Sequence, residues 1–245
     1  MQEIILRPSS VRSFLEVPNV WYRRHIDGIE DFKGNTSTYL GTVCHAYAES
    51  FYTLNPFNPH AILENAPEDV DKAFILQSYK PMCDELDSKY LIKQPKPELI
   101  EYFMKLDLGD GFICQGTLDA YNNGILIDYK SSSRQTKNMN DYIYQLHIYA
   151  YLLSLTEREV HTYRIVSIIN ATKTMGARVN ILECRSDVKK GKELVELMHK
   201  KTKLALDNPQ YKDIIFTENP YSFLSDTKEV ETLFKELWYN FNRGS

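Results

Sequence analysis

The four cysteines, Cys44, Cys83, Cys114 and Cys184, are scattered with no C-x-x-C pair. That spacing excludes a zinc knuckle and a disulfide frame, and it points to reduced thiols in a cytoplasmic protein. Long apolar runs are missing too: none approaches the roughly 20 residues that span a bilayer. The opening Met1-Gln2-Glu3-Ile4-Ile5-Leu6-Arg7 has neither the basic head nor the apolar stretch of a signal peptide. Positive charge is not in excess, with 29 Lys and Arg against 33 Asp and Glu and a formal net charge of -4. This argues against binding polyanions over the whole surface. It leaves room for a carboxylate-lined site whose acidic charge a bound cation neutralises. There is no internal repeat, no low-complexity segment and no G-x-x-x-x-G-K-[ST] phosphate loop.

What is present is an ordinary globular composition, 43% hydrophobic and 25% charged, over 245 residues, enough for one substantial core. Tyrosine stands out at 17 residues. Its ring stacks on bases, but it also fills half-wet cores, and the second use is the default.

Periodicity predicts an α/β order. A short capped helix begins after Arg7-Pro8, with Ser9 or Ser10 as N-cap, and Pro18 interrupts it. A helix over about 37–54 carries Leu40, Val43, Tyr47, Phe51 and Leu54 on one stripe, and another follows Pro67. Strands are expected over 99–108, 112–121 and 125–129, then a helix over about 139–155. Strands over 162–169 and 178–184 and helices over about 188–206 and 228–241 complete the pattern. The expectation is a single domain, residues 1–245, with a helical part at about 8–90, a central mixed β-sheet flanked by helices, and C-terminal helices at about 186–242.

The stretch Gly116-Thr-Leu-Asp119-Ala-Tyr-Asn-Asn-Gly-Ile-Leu-Ile-Asp128-Tyr-Lys130 carries the chemistry. With Asn122-Asn123 as a two-residue hairpin loop, Tyr121 pairs with Gly124. Asp119 and Asp128 then become diagonal neighbours, about 7 Å apart at Cβ, on one face with Leu126 and Lys130. The other face carries Leu118, Ala120, Ile125, Ile127 and Tyr129. Two carboxylates so placed repel unless a hard cation such as Mg²⁺ or Mn²⁺ lies between them. Lys130 would stand beside a metal-bound water, orient it and offset charge growing on phosphoryl oxygens. The plain alternative is a turn aspartate and a surface Asp128–Lys130 ion pair, and D-x-K alone favours it. The apolar run before Asp128, Gly124-Ile-Leu-Ile, shifts the balance towards a site.

The run G-x-x-D, I-x-D-Y-K-S, then Q-x-x-x-Y resembles the PD-(D/E)xK nucleases, which have a restriction-endonuclease-like core. The branch most similar is that of RecB-type nuclease domains and related phage and mitochondrial exonucleases. Pro8-Ser9-Ser10-Val11 with Pro18-x-x-Trp21-Tyr22, Gly41-Thr-Val-Cys-His45 and Gln145-Leu-His-Ile-Tyr149 extend the likeness from about residue 8 to 153. The resemblance implies His45, Asp119 and Asp128 as side-chain metal ligands, the Tyr129 carbonyl as a further ligand and Lys130 as the catalytic lysine. It places Gln145 and Tyr149 along the site, touching the DNA backbone, and it suggests an assisting acid from the first long strand, where Glu101 fits better than Glu98. Several relatives hold an iron–sulfur cluster through a cysteine before the N-terminal proline and three near the C-terminus. Here Val17 precedes Pro18 and no cysteine follows Cys184, so no cluster is expected.

The implied activity is a Mg²⁺- or Mn²⁺-dependent deoxyribonuclease, an exonuclease or DNA-end-processing enzyme of recombination, repair or replication. Its partners would be DNA, single-stranded or with ends, and a recombination or replication protein, with no membrane involved. Two alternatives share the fold: a DNA-binding or assembly subunit with weak catalysis, and a restriction-type endonuclease. Lys130, Arg134 and Lys137 could grip phosphates. The basic face of the helix that carries Lys189, Lys190, Lys192, Lys200, Lys201 and Lys203 is read first as a solvated surface.

Overall fold

The computed structural model describes residues 3–29, 33–53, 55–132 and 142–217. A short strand, β1 (Ile4–Leu6), comes first, with too few residues for alternation to reveal it. A 3-10 turn over Pro8–Ser10 leads into α1 (Val11–Glu16), and α2 (Pro18–His25) restarts with Pro18 in its first turn, where a missing N–H costs nothing. Ser10 occupies the N-cap position of α1 without capping it, and no side-chain cap comes from Ser9 either. The Ser10 hydroxyl instead donates to the Arg7 carbonyl at 2.9 Å and accepts the Trp21 indole N–H at 2.9 Å.

The helices α3 (Thr36–Tyr52), α4 (Pro59–Leu63) and α5 (Lys72–Lys89) follow. The Asn35 side chain caps α3 by accepting from Thr38 N–H, and Asp71 caps α5 by accepting from Phe74 N–H. Caps of this kind contribute about 1 kcal/mol each. The long strands are β2 (Leu99–Gly109), β3 (Phe112–Asn122) and β4 (Ile125–Ser132). Then come α6 (Ile143–Ser154), β5 (Thr162–Ile169), β6 (Arg178–Arg185), α7 (Val188–Asp207) and α8 (Lys212–Ile215). Leu54, Arg134, Lys137, the 139–141 start expected for α6 and the helix expected over 228–241 lie outside the described residues.

The sheet is mixed and β3 is its hub. One edge of β3 runs antiparallel to β2. The other is shared: β1 lies parallel at Phe112–Cys114, and β4 lies antiparallel at Ala120–Asn122. Beyond β4 come β5, parallel to it, and β6, antiparallel to β5. The main-chain register with β1 therefore ends at Cys114 and that with β4 begins only at Ala120, so this edge of β3 is split where Gly116 and Asp119 stand.

The hairpin register differs from the expected one by two residues. Asn122 pairs with Ile125, and the loop is Asn123-Gly124, with φ of 44° and 79°. Both loop residues are thus left-handed, as a type I′ turn requires and as Asn-Gly supplies best. Because the shift is even, β4 keeps its faces, but Asp119 and Asp128 become level instead of diagonal.

Helices cover both faces. One core gathers Phe14, Trp21, Leu118, Leu126, Leu146, Leu153, Ile165 and Val195 beneath α1, α2, α6 and α7. The other gathers Val43, Ile75, Leu86, Ala120, Ile127, Tyr129 and Val166 beneath α3 and α5. Leu118 and Ala120 are two apart in β3 yet belong to opposite cores, which corrects their expected placement on a single face. On β2, Leu99 and Tyr102 pack against one core although they are three apart. Both strands lose their alternation at the same rung, Glu101 and Asp119. The printed pairs pass from Ile100–Ala120 to Tyr102–Leu118 across it, and Glu101 has a left-handed φ of 46°.

Among the described residues no helix is long and apolar enough to cross a membrane.

Candidate active site

The irregular rung places the chemistry. Asp119 leaves the ladder, and its Oδ2 accepts the Tyr129 backbone N–H at 2.7 Å. A side-chain oxygen thus takes over where main-chain pairing of β3 with β4 has stopped, and it holds the two strands at a fixed splay. From α3, His45 brings Nδ1 to 3.5 Å from the same oxygen. Glu101 completes a cluster in which donor atoms of His45, Glu101 and Asp119 all lie within 4.8 Å of one another.

Gly41, one turn before His45, lets α3 come this close: a Cβ there would stand 2.9 Å from Ser131 Oγ on β4. Gly116 has a similar part on the opposite side. A Cβ there would lie 3.0 Å from Pro8 Cδ and 3.1 Å from Tyr149 Cε1. The G-x-x-x-H and G-x-x-D spacings therefore each couple a close approach to a site residue one helical turn or three strand positions away.

Asp128 is buried, and its Oδ1 receives Lys130 Nζ at 2.9 Å and Gln145 Nε2 at 2.7 Å. Its Oδ2 is buried with no hydrogen-bond partner among the described residues. A buried carboxylate oxygen left without a donor is costly, by about 1–3 kcal/mol or more. A divalent cation on the side of that oxygen would relieve the cost. The donors within 4.8 Å of one another are His45, Glu101 and Asp119, an oxygen-rich, imidazole-supplemented set that suits Mg²⁺ or Mn²⁺, and Asp128 is not one of that group. Lys130 also lies over the Tyr142 ring, 5.6 Å from its centroid. Tyr149, expected with Gln145 along the site, is buried and packs at Gly116.

The ionisation states follow from this crowding. Burial opposes the His45 cation, but the Asp119 charge and hydrogen bond outweigh it and raise the imidazole to about 9. Burial alone would raise Asp119 too, yet His45, then Lys130 and the Tyr129 N–H hold it below the ordinary value. Asp128 is raised to about 6 by burial, against the pull of Lys130 and with the push of Asp119. Glu101 reaches about 7, through desolvation against the protein and then the Asp119 charge, although its outer side meets solvent. Lys130 is raised: burial opposes its charge, and Asp128 and Asp119 more than compensate. A divalent cation beside these carboxylates would favour their deprotonated forms.

The sequence pattern matches beyond these residues. Residues 6–210 fit the sequence profile of the PD-(D/E)XK nuclease superfamily. The chain belongs to that superfamily. Among solved structures, this PD-(D/E)XK nuclease is similar to a candidate exonuclease from Eubacterium rectale, with a TM-score of 0.51 and 14% identity over 88% of this chain and 83% of that one. That likeness shows the fold. LHK-Exo, solved in complex with dAMP, is 13% identical over 73% of this chain and 96% of that one, with a TM-score of 0.37. A sequence comparison with curated proteins finds no match.

The basic face of α7 is a solvated one. Lys189 and Lys190 pair with Glu193, Lys192 and Lys200 with Glu196, and Lys203 with Asp110 and Asp207. Lys201 departs from its neighbours: it is buried, with Nζ 5.3 Å from the Phe14 ring centre and 4.9 Å from that of Phe216. Of the cysteines, Cys44, Cys83 and Cys114 are buried, Cys184 is half-buried, and all four are free thiols.

Proposed function

We propose that this nuclease is a Mg²⁺- or Mn²⁺-dependent DNA exonuclease or DNA-end-processing enzyme of the RecB-like branch, serving recombination, repair or replication. The observation that carries the reading is the convergence of His45, Glu101 and Asp119 within 4.8 Å, together with a buried Asp128 oxygen that has no partner among the described residues. His45, Asp119, Asp128 and the Tyr129 carbonyl are the proposed ligands, and Glu101 assists from the rim. The cation, when bound, supplies Lewis acidity and lowers the pKa of a bound water.

The remaining work belongs to the chain's own side chains. Gln145 Nε2 and Lys130 Nζ share Asp128 Oδ1 and so fix the direction of the free oxygen. Lys130 Nζ stays protonated beside two carboxylates. It acts as a hydrogen-bond donor and a fixed charge, orienting water and stabilising negative charge on a phosphoryl oxygen. The Tyr149 hydroxyl keeps its proton, since burial and then the Asp119 and Asp128 charges raise it far above neutrality. It can therefore donate to a strand phosphate.

The test is degradation of end-labelled linear DNA, single- and double-stranded, beside a closed circle, with Mg²⁺, Mn²⁺ or EDTA and Lys130→Ala as control. Metal-dependent loss of linear DNA alone, absent in the variant, is the expected result. Cleavage of the closed circle at fixed sequences would replace this reading with a restriction-type endonuclease. DNA binding without cleavage in either metal would replace it with a binding subunit.

A further inference from the structure

A second cluster of charge lies off the proposed metal site. Arg7 follows β1, and Arg24 and His25 end α2. The three are brought together by a chain of contacts. Ser10 Oγ bonds both the Arg7 carbonyl and the Trp21 indole N–H, each at 2.9 Å, and the Trp21 ring centre is 5.4 Å from that of His25.

The cluster has no acidic partner among the described residues, on a chain whose net charge is -4. Arg12, Arg164, Lys203 and Lys212, by contrast, each meet a carboxylate at 2.6–3.0 Å. Arg24 Nε is buried without a hydrogen-bond acceptor among the described residues, and Arg7 is open to solvent. The local potential is positive enough to matter: His25 is lowered to about 4, by burial first, then by Arg7 and Arg24. His25 is therefore neutral near pH 7 and can donate one N–H, while two guanidinium forks supply charge. An acceptor-rich anion is what such donors lack, and paired N–H forks fit phosphate oxygens.

The place of the cluster suggests which phosphate. Pro8, next to Arg7, and Tyr149 both pack on Gly116, 3.0 and 3.1 Å from where its Cβ would stand. Gly116 precedes Asp119 by three strand positions, roughly 10 Å at the usual rise per residue. Arg7, joined to Pro8, therefore directly adjoins the residue that packs with Tyr149 at Gly116.

We propose that Arg7, Arg24 and His25 form a phosphate-binding subsite that holds the DNA strand beside the reaction centre; this rests on the nuclease reading above. The same chemistry would take a terminal or an internal phosphate.

The measurement is fluorescence anisotropy of labelled single-stranded oligonucleotides, one 5′-phosphorylated and one 5′-hydroxyl, over a salt series. It is run in Mg²⁺ in the Lys130→Ala background, so that the strand survives. Each phosphate contact contributes about 0.7 to the slope of log affinity against log salt for a single strand. Arg7→Gln and Arg24→Gln are each expected to flatten the slope by about that amount and weaken binding several-fold. Arg7→Lys, which keeps the charge, should retain most of the slope. Loss confined to the 5′-phosphorylated strand assigns a terminal phosphate, and equal loss on both assigns an internal one. Arg24 is partly buried and its variant could unfold, so exposed Arg7 keeps the test decisive. Unchanged slopes in folded Arg7→Gln and Arg24→Gln would overturn the subsite while leaving the nuclease reading intact. A wild-type chain that neither binds nor cleaves DNA in Mg²⁺ or Mn²⁺ would overturn both.

Discussion

Asp119 Oδ2 and the Tyr129 N–H, 2.7 Å apart, join β3 to β4 at the rung where main-chain pairing has ended. One carboxylate is thus both a structural acceptor and a proposed ligand, and the two parts are separable. Asp119→Asn can keep an amide oxygen on the Tyr129 N–H but loses the charge that His45 and a cation share. Asp119→Ala loses both.

The expected outcome is that each variant loses at least a hundredfold in cleavage rate. Asp119→Ala should also be less stable than Asp119→Asn, by about 1–3 kcal/mol, the usual cost of stranding a buried donor. Urea unfolding of both variants beside a cleavage assay reads this directly. Equal stability of the two would mean that the bond to Tyr129 does not hold the splay.

Lys130 is proposed to act on charge that develops during cleavage and not to hold the metal. Lys130→Met should then lower the rate by about two to three orders of magnitude, the range for removing one aimed donor. Mn²⁺ binding, followed by calorimetry, should be unweakened or tighter, because an ammonium beside a cation is repulsive. Marked loss of Mn²⁺ affinity would instead make Lys130 a structural support for the ligands.

The helix that brings His45 depends on a contact short enough to test by size. At Gly41 an added Cβ meets Ser131 Oγ at 2.9 Å, and that hydroxyl can move. Gly41→Ala should cost about 1–3 kcal/mol, as mild overpacking does, and reduce activity through the displaced imidazole. Adding Ser131→Ala should recover much of both losses. If the double variant is no better than the single one, α3 is held off by something other than Ser131. Gly191 allows no such relief. Its Cβ would land 1.9 Å from the His147 carbonyl oxygen, so Gly191→Ala must push α7 off α6, which carries Gln145 and Tyr149.

Much of this was legible in the residues because the relevant signals are local. Alternation gave β2 to β6 to within a few residues, and an apolar strand ending in Asp128 and Lys130 marked the site. The hairpin shows where local signals stop. Asn122-Asn123 and Asn123-Gly124 are both acceptable loops, and choosing the first shifted the register by two. The faces of β4 survived only because two is even. Glu101 illustrates the other limit. Its left-handed φ and the broken alternation beside it belong to an irregular rung of the β2–β3 pairing, and His45 reaches it from a distant helix. Single-strand periodicity cannot contain that information. Likewise, nothing about Lys201 in the helical pattern distinguishes it from the solvated lysines around it. Its burial is decided by Phe14 and Phe216, far away in sequence.

The ionisation pattern also predicts how metal and pH are linked. Without metal, Asp128 at about 6 and Glu101 at about 7 bind protons more tightly folded than unfolded. Their contribution to stability is full below about pH 4 and is lost as pH rises through 6 to 7. His45, at about 9, contributes stability that is full below about 6.5 and is lost as pH rises through 9. Asp119 is shifted the other way, but its contribution fades only below its unfolded value near 4, outside this window. These groups therefore make the metal-free chain less stable between pH 5 and 9 as protons leave. A divalent cation binds the deprotonated forms, so its stabilisation should grow over the same range and its uptake should release protons. Thermal unfolding with and without saturating Mg²⁺ should show a larger Tm increase at pH 8.5 than at pH 6. Calorimetry in two buffers of different ionisation enthalpy should report proton release. A Tm increase independent of pH would mean that the cation binds away from His45, Glu101 and Asp128.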